Sequence, residues 1–119
     1  MRAPGTVRAQ LRRGLRLWAE GRAGAGLRPE TVAWARALAA GELVTPARLR
    51  AWRAWHRRHG ASWREVAARE RQLADLRAGQ LRARAPALVA WLLWGGAAGE
   101  RWGESARVDA LLTPRRHRP

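Results

Sequence analysis

The side chains in this chain with most capacity for chemistry are arginines. All 24 Lys-or-Arg positions are Arg, against nine acids, giving a formal net charge of +15 on 119 residues. Arg8, Arg12, Arg13 and Arg16 recur along one predicted helix. Arg48, Arg50, Arg53, Arg57, Arg58 and His59 load another, and Arg115, Arg116 and Arg118 arm the C-terminal end. Guanidinium groups grip phosphate oxygens bidentately, and each phosphate neutralised releases condensed counterions. The expected contact set is therefore Arg8, Arg12, Arg13, Arg16, Arg50, Arg53, Arg57, Arg58, Arg115 and Arg116. The expected partner is nucleic acid, DNA or RNA, and an acidic protein surface would answer the same charge.

Catalytic constellations are thin by comparison. The chain has two Ser, four Thr, three His and neither Cys nor Tyr. His56 and His59 lie three apart on one predicted helix, a spacing that can bring two imidazoles to one metal ion. No acid lies nearby in sequence to complete such a site, and Arg57 and Arg58 between them repel a cation. Glu65, Glu70, Asp75, Glu100, Glu104 and Asp109 read as capping and ion-pairing acids. The expectation is a protein that is not an enzyme, with no cofactor, no metal and no small-molecule substrate.

The eight Trp residues invite a stacking interpretation, but composition offers a plainer one. Phe, Tyr, Ile, Asn, Lys and Cys are all absent, and Met1 is the only Met. The missing types are largely those with A/T-rich codons, the signature of a GC-rich coding sequence, so Trp replaces the other large aromatics as core material. Most Trp residues recur at helical spacing with Leu or Val, which places them in the core. Trp63, in a first turn beside Arg64, is the one best placed for exposure and base stacking. Absence of Asn and Cys, with arginine abundance, also suits heat tolerance.

A chain of this length is one domain, and 47% hydrophobic residues fit a globular protein. Without Cys there is no disulfide framework or thiolate metal site. No apolar run follows Met1, so no secretory signal is expected. The longest apolar stretch, residues 85–94, is about half the length a bilayer span needs, so no transmembrane segment is expected. These features suit a reducing cytoplasm.

The elements that must position the arginines are helices throughout, because Ala, Leu, Arg and Glu dominate and no run alternates as a strand does. The first is expected over residues 6–20, with Val7, Leu11, Leu15 and Trp18 as its apolar stripe. A second starts at Pro29 and stops at Gly41. A third follows the N-cap Thr45 and Pro46, with Val44 and Leu49 as a hydrophobic staple, and ends at Gly60. Ser62 to Glu65 form a capping box that opens a long charged helix, residues 62–84, with a thin apolar stripe. Residues 87–94 are apolar on all sides and should be the most buried segment. Gly95-Gly96 is a firm break, followed by short helical segments near 99–105 and 106–112. The expected architecture is an all-α, five- to six-helix single domain over residues 1–112, with residues 113–119 as a mobile basic tail. Ser62-Trp-Arg-Glu-Val-Ala-Ala68 is similar to the opening helix of a helix-turn-helix unit, but the Gly turn such a unit needs is missing.

Three stretches together resemble a known helical module. They are Trp18-Ala-Glu-Gly with Val32-Ala-Trp-Ala-Arg-Ala-Leu-Ala-Ala-Gly41, then Val44-Thr-Pro-Ala-Arg-Leu-Arg with Arg58-His59, then Ala90-Trp-Leu-Leu-Trp-Gly-Gly-Ala-Ala-Gly-Glu-Arg-Trp102. The likeness is to a short helical module of phage and prophage proteins, often encoded near or joined to head-assembly genes. In that module a helix ends in an Arg-His pair and a Trp-x-Leu-Trp-Gly-Gly segment closes the unit. This chain departs from it at Gly60 and Ala97, where the module usually carries acids, and in having a charged helix where the module has a Gly/Pro-rich loop. The resemblance implies a phage or prophage context and a compact helical fold, and it carries over no catalytic residue. The leading expectation is a non-enzymatic phage-type protein that binds nucleic acid through arginine–phosphate contacts without sequence readout. The alternatives are a virion or head-assembly protein, which would self-associate or engage an acidic protein surface, and a small helix-turn-helix regulator.

Overall fold

The computed structural model describes residues 1–23, 26–59, 63–77 and 85–113, apart from the side chains of Trp63, Arg64, Leu76 and Arg77. Among these residues the chain forms seven helices: α1 (Gly5–Ala19), α2 (Pro29–Ala39), α3 (Pro46–His59), α4 (Trp63–Arg77), α5 (Pro86–Leu93), α6 (Gly96–Gly103) and α7 (Ala106–Leu112). The all-α class is as expected, and the count is seven rather than five or six. Ser105, extended at φ −69° and ψ 156°, separates α6 from α7 as the two expected short segments require, its side chain accepting from the Val108 amide at 3.3 Å. The segment expected over 99–105 instead begins at the second glycine, Gly96, and ends at Gly103. The expected tail beyond Thr113, with Arg115 and Arg116, lies outside the described residues, as do Gly60, Ser62 of the capping box and residues 78–84. No helix among the described residues is long and apolar enough to cross a membrane.

Punctuation in the sequence sets most helix ends. Pro29 and Pro46 stand at first-turn positions, where a missing N–H costs nothing. Thr45 Oγ1 accepts from the Arg48 amide at 3.2 Å, the N-cap bond expected of it, and Val44 and Leu49 flanking it are both buried. At the end of α2 the Gly41 amide bonds to the Leu38 carbonyl and the Glu42 amide to the Ala37 carbonyl, which closes the helix in a Schellman turn. The α2–α3 connection then pairs with the N-terminal residues: Arg2 bridges Leu43, and the Val44 amide donates to the Met1 carbonyl at 2.7 Å.

The central element is α1, which packs against α2, α5 and α6, while α3 packs against α6 and α7. Its buried face is Val7, Leu11, Gly14 and Leu17, not the expected stripe through Leu15 and Trp18, which are only partly buried. Gly14 is the physical reason. A Cβ there would lie 2.9 Å from Leu92 Cβ and 3.1 Å from the Leu92 carbonyl carbon, so α5 approaches α1 at backbone contact and the stripe rotates to centre on that crossing. Gly14→Ala is expected to destabilise by about 1–3 kcal/mol through overpacking, although alanine alone would favour the helix. A lower urea midpoint at unchanged m-value is the expected reading.

The segment expected to be the most buried is so: Leu88, Val89, Trp91, Leu92 and Leu93 of α5 are all in the core. α4 attaches to this centre through buried Leu73, through the Arg13–Glu70 ion pair and through Arg69, whose guanidinium lies 5.1 Å from the Trp91 ring centroid. It runs unbroken from Trp63 to Arg77, with no turn after Ala68.

Candidate nucleic-acid interface

The structure divides the ten expected arginines into different roles. Arg12 donates to the Ala39 carbonyl at 3.3 Å and Arg8 Nη1 lies against Gly41, while Arg2, outside the expected set, donates to the Gly41 carbonyl at 2.9 Å. All three converge on the C-terminal end of α2, where unsatisfied carbonyls concentrate negative potential. Arg13 forms a bidentate pair with Glu70 at 2.9 and 3.1 Å. Arg53 donates to the Gly103 carbonyl at 2.9 Å and to Asp109 at 3.3 Å, tying α3 to α6 and α7. Arg57 forms a bidentate pair with Glu104 at 2.7 and 3.0 Å, and this hydrogen bond holds the Glu104 carboxyl below the usual carboxylate range. Arg16, Arg50 and Arg58 face solvent, and Arg115 and Arg116 lie outside the described residues. Five of the ten are therefore engaged by the fold itself, and Arg16, Arg50 and Arg58 remain exposed.

The tryptophans behave mainly as core. Trp52, Trp91 and Trp102 are buried. Trp52 touches Trp94 and Trp102 at centroid distances of 5.5 and 5.3 Å, and Trp34 meets Trp94 edge-on at 5.9 Å. Trp52 Nε1 donates to the Gly99 carbonyl at 2.8 Å inside this cluster. The side chain of Trp63, expected at the surface, is outside the described set.

His56 sits within the same cluster. Its Nε2–H donates to the Trp94 carbonyl at 2.6 Å, a bond that fixes the tautomer and leaves Nδ1 buried without a partner. Burial lowers its pKa to about 4, a shift only partly opposed by the Trp94 carbonyl and by Glu104. His59 is exposed, and among the described residues no group of three or more metal-ligating side chains converges.

One concave surface combines the exposed charge with the aromatic cluster. A cleft of about 510 Å³ opens between the N-terminal end of α2, the exposed side of α3 and the end of α5. Arg28, Arg58 and His59 stand around it, and no acid among the described residues lines it. Its walls are Leu27, Trp55 and Trp94, the two indoles stacked at 4.9 Å with 7° between planes. Space exists there because Ala51, Ala54 and Ala90 have side chains too short to fill it. Sequence reasoning named Arg58 but missed Arg28 and the cleft. The signal available was the spacing of Ala51, Ala54, Trp55 and Arg58, one helical stripe that is small, aromatic and basic rather than aliphatic. The chain matches no protein-family model, no curated protein and no solved structure.

Proposed function

We propose that this is a non-enzymatic, phage-type nucleic-acid-binding protein that holds phosphates through arginine without reading sequence. The observation that carries the reading is the balance of charge after folding. Of the nine acids, Glu20, Glu70, Glu104 and Asp109 are already in ion pairs with arginines. Those pairs are neutral, so the +15 excess resides on the remaining cations. Arg16, Arg28, Arg50, Arg58, Arg101 and Arg107 present it at the surface. A field of this sign and size concentrates polyanions. The Trp-Gly-Gly likeness supports a phage or prophage setting, in a bacterial cytoplasm or a virion.

Fluorescence-anisotropy titration against unrelated DNA and RNA sequences tests this. Affinity is expected to be tighter than ~10 μM at physiological salt, similar for different sequences, and to fall steeply with salt as several counterions are released. Negligible binding at physiological salt would overturn the reading. The charge would then belong to an acidic protein surface, and self-association in sedimentation would place the chain among assembly proteins.

A further inference from the structure

We propose that the cleft between α2, α3 and α5 takes an unstacked base of a single-stranded nucleic acid, its flanking phosphates held by Arg28 and Arg58. The inference rests on the nucleic-acid reading and adds to it the kind of strand preferred. Three features of the cleft converge on that occupant. Its volume, about 510 Å³, falls in the range of roughly 300–1,000 Å³ spanned by ligand pockets. Its walls are apolar, formed by Leu27 and the Trp55–Trp94 stack, and the Trp55 ring also lies 4.8 Å from exposed His59, a surface side chain that an incoming planar ring can displace. Its mouth carries Arg28 and Arg58 with no acid among the described lining residues, which suits a ring bearing phosphate on both sides.

A duplex cannot use this site without unstacking and unpairing a base, whereas a single strand offers its bases already. Arg16 and Arg50, outside the cleft, remain able to meet the phosphates of either form. Charge therefore supplies general affinity, and the cleft supplies discrimination between strand types.

The test compares a short fluorescein-labelled oligothymidylate with a mixed-sequence duplex of equal length, over a series of salt concentrations. Wild-type protein is expected to hold the single strand about tenfold more tightly, the gain of roughly one base against an aromatic wall. Ala51→Leu and Ala54→Leu fill the cleft without changing charge. Both are expected to bring single-strand affinity down to that of the duplex while the salt slope stays the same. Ala51 is exposed, so its variant keeps the fold, and circular dichroism checks both. Equal binding of the two forms by wild type would overturn the inference while leaving the nucleic-acid reading intact. Retention of the preference by both folded variants would also overturn it. Failure to bind either form would remove the nucleic-acid reading and the inference together.

Discussion

Gly99→Ala is expected to cost at least about 4 kcal/mol, a large part of the stability of a domain this size. An alanine Cβ at this position would be driven into the Trp94 carbonyl oxygen, 2.8 Å from Trp52 Cζ2 and 3.0 Å from the Trp94 carbonyl carbon. Two of those atoms are backbone and the third is a ring atom wedged among other indoles, so no flexible side chain can give way. The damage spreads because the same atoms carry hydrogen bonds. The Trp94 carbonyl accepts from His56, and the Gly99 carbonyl accepts from Trp52. Gly95, at φ +80°, makes the turn that brings α6 back across the end of α5, and the Gly99 amide bonds to the Gly95 carbonyl at 2.8 Å. Moving any one of these groups to admit a methyl strands a buried donor or acceptor. Thermal melting followed by circular dichroism should show a midpoint lower by roughly 15 °C or more. Gly5→Ala is the control, since a Cβ there meets nothing within 4 Å. A Gly99→Ala protein that melts like wild type would contradict the close α5–α6 contact.

Stability is also expected to depend on pH through one histidine. His56 titrates at about 4 in the folded protein against an ordinary value of 6.5. Above pH 7 both folded and unfolded states hold it neutral, and it contributes no pH dependence. Between 6.5 and 4 the unfolded chain binds a proton that the folded chain refuses, so stability falls as pH falls through that window. Below about 4 the loss levels off, at a total on the order of 3 kcal/mol. The cost arises because a proton on Nδ1 would create a buried cation with no acceptor beside it. Urea denaturation at steps from pH 7 to pH 5 measures the effect above most carboxylate titration. His56→Gln, which can still donate to the Trp94 carbonyl, should flatten the slope. A slope equal to that of wild type in this variant would assign the acid sensitivity elsewhere.

Local signals in the sequence placed the helices well, and long-range partnerships were hidden from it. Pro29, Thr45 with Pro46, Gly41 and the Gly95-Gly96 break act through the backbone within a few residues, so their effect is readable in place. The burial of residues 87–94 was readable for the same reason, since no face of that segment is polar. Gly14 was not, because a glycine in a helix carries no hydrophobic mark, and only the proximity of Leu92 makes it an interface. The fate of the arginines was equally hidden. Arg53 and Arg57 are charged groups on a charged helix until the fold brings Glu104 and Asp109 from about fifty positions away. The cleft is harder still to read, being defined by what Ala51, Ala54 and Ala90 do not fill.

The central position of α1 has a consequence for timing. It is made before two of the elements it packs against, α5 and α6, which follow it after α2, α3 and α4. At typical synthesis rates its apolar face waits about 4–15 s for those partners to be made. The backbone contact at Gly14 cannot form before Leu92 has emerged. The α1–α5 and α1–α6 contacts join elements far apart in sequence, so the fold should refold more slowly than a bundle of sequential hairpins. During that wait α1 can rest against α2, its other partner, which follows directly in sequence. Early packing of α1 on α2 shields part of the apolar stripe, and the arginines on its remaining faces keep the nascent chain from self-association.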